Sequence, residues 1–220
     1  MATATAKIDI CNLTMDHLAQ EAIITNIDTP GTEEEIKCAR WYDVVRRSTL
    51  RAFPFTFARD RFVASRDVVN VPLFGYTDAY NLPNDYLKLS FFSLDDSSLG
   101  DIIPFYAVDF ALEGRKILLN NSGATSINIG YIKDETDVTK FDALFVDLFA
   151  IELAARMSFS FTLKPSLKKL LMEERLLLKA EAKAVNSQER PPKRVERSKF
   201  IRARRSMLSN VASKFTIFDS

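Results

Sequence analysis

The sequence predicts an α+β fold: about four helices in a bundle, a β-rich region inserted between the second and third, and an extended C-terminal arm. Three observations lead there. Apolar residues recur at helical spacing near 4–19, 33–53, 138–161 and 165–186. Between about 55 and 131 this gives way to short apolar runs bounded by Gly, Asn, Asp and Pro. After 187 periodicity stops and basic residues accumulate. The expected organisation is therefore 1–54 with 136–186 for the helices, 55–135 for the β-rich part, and 187–220 for the arm.

The first helix follows from Ile8, Cys11, Met15 and Leu18, three and four apart, with Lys7, Asn12 and Asp16 between them. Asp28-Thr29-Pro30-Gly31 is a turn sequence. Thr32 with Glu35 three residues later forms a capping-box pattern, and acidic residues at 33–35 favour the positive end of a helix dipole. That helix runs to about 53, because Pro54 has no N–H to donate and pushes Phe53 out of helical geometry. Strands are expected in "RFVAS", "YLKLSFFSL", "PFYAVDFAL", "RKILL" and "SINIGYI", with "ALEGRKILL" joining two of them through Glu113-Gly114.

In 138–161 the apolar face of Phe141, Leu144, Phe145, Leu148, Phe149 and Ile151 is too wide for a lone surface helix and belongs inside a bundle. Glu152 and Arg156 are spaced for an i,i+4 ion pair on its wetter side. Pro165 restarts a helix at its first turn, where a missing N–H costs nothing. Leu167, Leu170, Leu171, Leu177 and Leu178 give this helix one apolar stripe, interrupted by Glu174.

Composition limits the class of protein. Of 220 residues, 47% are hydrophobic and 27% charged, ordinary for a soluble globular chain. No apolar run approaches the ~20 residues that span a bilayer. No basic segment followed by an apolar core marks a secretory signal. The net charge of +1 is unevenly spread: residues 187–220 hold nine basic against three acidic groups, or +6, leaving −5 on the remainder. Such asymmetry marks an interaction arm. Cys11 and Cys38 are too few for a disulfide framework or a common metal site; each reads as a small buried side chain, in a protein made in a reducing compartment.

No catalytic residue, cofactor site or metal site is expected. His17 has no nucleophile motif nearby, and the Gly-rich and His-rich signatures of nucleotide and metal enzymes are absent. Asp95-Asp96 and Asp134-Glu135 lie among Ser and Thr and read as solvated loops. The chemistry that remains is binding. The arm combines arginines with Phe200, Ile201, Met207, Leu208, Val211, Phe215, Ile217 and Phe218, which suits a segment that orders on a partner. The alternative is a nucleic-acid-binding protein whose basic arm tracks phosphates. Mostly aliphatic apolar groups offer bases no ring to stack on, which favours a protein partner.

Three blocks carry a family resemblance. The first, "DICNLTMDHLAQEAIITNIDTPGTEEEIKCARWYDVVRRSTLRAFPFTFARDR", ends in a corner of Leu50, Phe53, Pro54, Phe55, Phe57 and Ala58. The second is "YTDAYNLPNDYLKL", with Ala79-Tyr80, Leu82-Pro83 and Asp85. The third is "YIKDETDVTKFDALFVDLFAIELAARMS", with Tyr131, Phe141-Asp142, Leu144-Phe145 and Leu153-Ala154-Ala155. In this order they resemble the tail tubular protein A family, the head-to-tail adaptors of short-tailed bacteriophages. Phe55 stands where the family has tryptophan, Ala19 where a glycine commonly follows the first helix, and Ala143 where it has proline.

The resemblance implies an antiparallel helical bundle with an inserted β subdomain, and a homo-oligomeric ring of twelve copies under the portal protein. One surface would meet the portal and the opposite one the tail nozzle protein. The β region would be free to dock tail fibres or other tail proteins, with DNA passing through the channel. Phe53, Pro54, Phe55 and Phe57 would form the hinge between subdomains, with the neighbouring arginines facing other subunits or solvent. The arm after 187 is the least family-like part, and its chemistry more than the resemblance suggests that Phe200, Ile201, Arg202, Arg204 and Arg205 would make one portal contact, and Phe215, Ile217 and Phe218 a terminal apolar hook. The expected location is the virion, after synthesis in the host cytoplasm, with no membrane insertion.

Overall fold

Helices begin where the sequence supplies acceptors for the free N–H groups of a first turn. In the computed structural model, which describes residues 6–21, 23–93, 108–121, 123–162 and 165–188, the Asp9 carboxylate accepts from the Ala6 N–H at the head of α1 (Lys7–His17). This helix ends in a Schellman turn: the Gln20 N–H donates to the Met15 carbonyl at 3.1 Å and the Ala19 N–H to the Asp16 carbonyl at 3.0 Å. Ala19 occupies the left-handed region at φ 52°. The predicted 4–19 therefore overshoots at its C-terminal end, while residues 4 and 5 lie outside the described residues.

The predicted capping box opens α2 (Glu33–Ala52): the Glu35 N–H donates to Thr32 Oγ1, and the Thr32 N–H donates back to Glu35, both at 3.2 Å. Its end also follows the sequence, since Phe53, preceding Pro54, is extended at φ −136°, ψ 132°. One expectation is overturned between these helices. Cys11 and Cys38 are not free thiols but a disulfide, with Cα atoms 6.4 Å apart across 27 residues. Both are fully buried, so the bond staples α1 to α2 inside the core.

Among the described residues six strands lie between α2 and α3 in chain order: β1 (Arg59–Ser65), β2 (Asp78–Asn81), β3 (Tyr86–Ser93), β4 (Phe110–Glu113), β5 (Lys116–Leu119) and β6 (Ser126–Lys133). They form two antiparallel sheets, β1-β6-β3 and β2-β5-β4. The β4–β5 hairpin turns through Gly114-Arg115, where Gly114 takes φ +59°. Of "PFYAVDFAL", the described strand begins only at Phe110, and residues 104–107 lie outside the described residues. Gly130 is required by close approach: a Cβ there would stand 2.1 Å from the Phe91 ring on the neighbouring strand. Arg61 sits over that ring on the far strand, 5.8 Å from its centroid.

The chain closes with α3 (Ala143–Thr162) and α4 (Pro165–Gln188). The fold is therefore mixed α+β, with four helices and two small antiparallel sheets among the described residues. One apolar core gathers α1, α2, α3 and the inward residues of α4, together with Leu87 and Ile132 of the first sheet. A second core, with Tyr80, Phe92, Ile117, Leu119, Ile127 and Ile129, lies among the strands. Two details differ from expectation. Glu152 pairs with Arg175 of α4, leaving Arg156 exposed. The single leucine stripe of α4 divides: Leu171 is buried and Leu167 and Leu178 pack partly inward, while Leu170 and Leu177 face out. Among the described residues no helix is long and apolar enough to cross a membrane.

Candidate functional site

The corner after α2 is an aromatic cascade. Pro54 ends the helix, the Phe55 N–H donates to the Phe53 carbonyl at 3.1 Å, and a 3-10 turn over Thr56–Ala58 leads into β1. The Phe53 and Phe55 rings meet edge to face at 4.9 Å. Phe55 and Phe57 both reach Phe145 of α3, at 5.0 and 5.1 Å, and Phe145 passes the stack on to Phe149, which meets Tyr42 of α2. Burying each such ring is worth about 1.5–3 kcal/mol, and each good ring pair adds about 0.5–1.5 kcal/mol. Phe53, Phe55 and Phe57 thus come together on the helical core, Phe55 and Phe57 directly on α3, with Pro54 at the bend.

The arginines of this corner do not all point away. Arg51 donates to the Leu87 carbonyl at 2.9 Å, tying α2 to β3, and Arg59 donates to the Pro54 carbonyl at 3.1 Å. Asn186, near the end of α4, clasps the same place: its Oδ1 accepts from the Thr56 N–H at 3.0 Å and its Nδ2 donates to the Pro54 carbonyl at 3.3 Å. Residues Phe200, Ile201, Arg202, Arg204, Arg205, Phe215, Ile217 and Phe218 lie outside the described residues.

Asp134-Glu135, expected in a solvated loop, is a buried electrostatic staple. Arg46, itself almost fully buried, meets Asp134 with two parallel contacts at 3.0 and 3.2 Å and also pairs with Asp43. Arg47 adds a third contact to Asp134 at 3.1 Å. Burial pushes the Glu135 carboxyl up, but the Asp137 N–H, Lys133 and Lys140 outweigh it and hold the group below its ordinary range. Asp95-Asp96 lies outside the described residues.

Two other carboxylates organise loops. Glu35 accepts five hydrogen bonds: from the Gly31, Thr25, Asn26 and Thr32 N–H groups and the Thr25 hydroxyl, at 2.8–3.2 Å. The Gly31 N–H leads these donors in lowering its pKa from 4.5 to about 2. Asp78 is buried; burial raises it, but Thr77, the Gly123 and Asn121 N–H groups and the Arg66 charge outweigh that and lower it. Asp147 on α3 moves the other way, raised by burial, with His17 opposing and Glu181 and Asp142 adding to the shift.

Two shallow depressions, of about 520 and 440 Å³, are lined respectively by Val69, Val71, Arg115 and Leu118 and by Arg47, Ser48, Arg51 and Tyr86. Among the described residues no group of His, Cys, Asp and Glu could hold a metal ion. The outer surface is more distinctive. Val68, Val69, Val71, Leu73 and Phe74 are exposed in the β1–β2 connection, Leu73 at 97% and Phe74 at 88%. Leu170, Met172, Leu176 and Leu177 are exposed on α4, Leu177 at 74%. Of these, the leucine stripe expected from the sequence includes Leu170 and Leu177 but neither Met172 nor Leu176; "VVNVPLFG" is apolar without strand or helix period, so patterning gives it no element.

No protein-family model matches the chain, and no curated protein matches it either.

Proposed function

We propose that this chain is a structural virion protein without catalytic activity, the head-to-tail adaptor ring that joins the portal to the tail nozzle and lines the DNA channel. Its helices would form the antiparallel bundle, its strands the inserted subdomain, and 187–220 the portal-docking arm. The observation that carries the proposal is the uncovered apolar surface of α4. Besides the leucines it turns to the core, α4 exposes Leu170, Met172, Leu176 and Leu177 among its charged residues, more apolar surface than its packing on the core uses. A patch of that kind on a free monomer marks an interaction site. The three-block resemblance supplies the kind of assembly. Native mass spectrometry of the full-length protein tests it: a single closed oligomer of about twelve copies supports the ring, and a concentration-independent monomer contradicts it. DNA binding that weakens steeply with salt would favour the nucleic-acid alternative.

A further inference from the structure

We propose that the β1–β2 connection is the contact joining neighbouring copies of this chain, its tip Val68–Phe74 seating on the outer surface of α4 in the next copy. The inference rests on the ring reading and assigns the surfaces that meet.

The tip is built to be presented. Its base is fixed by Arg66 Nε to Asp78 Oδ1 and by Lys116 Nζ to Asp67 Oδ2, both at 2.7 Å. Asp67 Oδ1 accepts from the Val69 and Asn70 N–H groups at 3.0 Å, turning the chain outward. On the returning side the Tyr76 hydroxyl donates to Asp109 at 3.2 Å and the Thr77 N–H to Asn120 at 2.9 Å. Between these anchors residues 68–77 carry no charged side chain. A pre-ordered apolar loop loses little further entropy on docking.

Its chemistry calls for an apolar receptor, and α4 offers Leu170 and Leu177 on one flank of the helix, with Met172 and Leu176 on the other flank. The two surfaces do not cover each other within one molecule, since both are exposed. The loop is tied to β5 through Lys116, and α4 is held on the helical core by Leu171, Ala182 and Asn186. Two different apolar patches on one chain make a head-to-tail contact, which repeats and closes into a ring when the rotation allows. Even with every exposed tip and α4 residue covered, the buried area would be on the order of 1,000 Å², a modest contact of the kind that closure of a ring reinforces. A lipid surface fits less well. The loop base holds Arg66, Arg115 and Lys116 against Asp67, Asp78, Asp109 and Glu113, with no cation surplus for anionic headgroups.

The test uses the full-length protein with Phe74→Cys and Leu177→Cys combined, oxidised with copper phenanthroline while assembled. The expected result is a ladder of covalent multimers on denaturing gels, absent from either single variant; the native disulfide is buried and stays apart. Leu73→Asp with Phe74→Asp should raise the concentration needed for assembly by about 100-fold or more, with the circular dichroism spectrum unchanged. Rings that persist in the aspartate variant without a ladder overturn this contact and leave the ring reading standing. A dimer cross-linked by Leu177→Cys alone overturns it in favour of α4 packing on its own copy. A monomeric unmodified protein overturns both. Flotation with phosphatidylcholine vesicles that the aspartate pair abolishes would assign the tip to lipid and overturn it.

Discussion

Replacing Ala19 by glycine should stabilise the protein, although it removes a methyl group and makes no new contact. Ala19 is the left-handed residue of the Schellman turn that ends α1, at φ 52°, with its N–H donating to Asp16 and the next N–H to Met15. An L-residue in that conformation costs about 1–2 kcal/mol, because its Cβ crowds the following carbonyl. Glycine carries no such cost, but frees the unfolded chain by about 0.4–1 kcal/mol. Ala19 is exposed, so its methyl buries nothing that must be replaced. The net gain is about 0.5–1 kcal/mol. For a chain of this size that is a rise in Tm of about 1–4 °C. Thermal unfolding followed by circular dichroism, at concentrations too low for assembly, reads it directly. Ala19→Val supplies the opposite sign, since a branched side chain suits this region worse. A neutral or destabilising Ala19→Gly, with Ala19→Val equal to the unmodified protein, would refute the assignment of strain.

Gly130→Ala should cost about 1–3 kcal/mol by displacing the Phe91 ring, and should become nearly neutral when Phe91→Ala removes that ring; an equal cost in both backgrounds, in denaturant titrations, would contradict the contact. Glu35 has its pKa lowered from 4.5 to about 2 in the folded state, so its stabilisation is fully present above about pH 4.5 and is lost as pH falls toward 2. Glu35→Gln should therefore flatten the acid limb of the stability curve in that window, and an unchanged acid limb would count against the hydrogen-bonded carboxylate. Breaking the disulfide as Cys11→Ser with Cys38→Ser should remove about 3.5 kcal/mol, the chain-entropy value for a loop of this length. Peptide mapping without reductant should show the 11–38 cross-link, and free thiols in the folded protein would contradict it.

Local patterning served where the physics is local. The Thr32–Glu35 box, the stop at Pro54 and the hairpin at Gly114 depend on residues within a few positions of one another, and each forms as its spacing requires. Patterning failed where partners are far apart in the chain. Asp134 has Thr and Asp neighbours that suggest solvent, yet Arg46 lies 88 residues earlier and no periodicity points to it. Glu152 had an obvious partner at Arg156 and took Arg175 from the next helix. The leucines of α4 occupy so many angles that spacing alone does not choose the inward ones; Leu171 and the clasp of Asn186 on the corner do. The four-residue β2, bounded by Asp78 and Asn81, is too short to alternate visibly and has turn formers at both ends. The pairing of Cys11 with Cys38 required knowing how α1 crosses α2, which neither helix states by itself.

The adaptor proposal stands most directly on the portal. Full-length protein mixed with its candidate portal protein should give electron-microscopy class averages of a ring capping the portal, while a version ending at residue 187 should form rings that leave the portal bare. Monomers indifferent to the portal, with or without the arm, would contradict it.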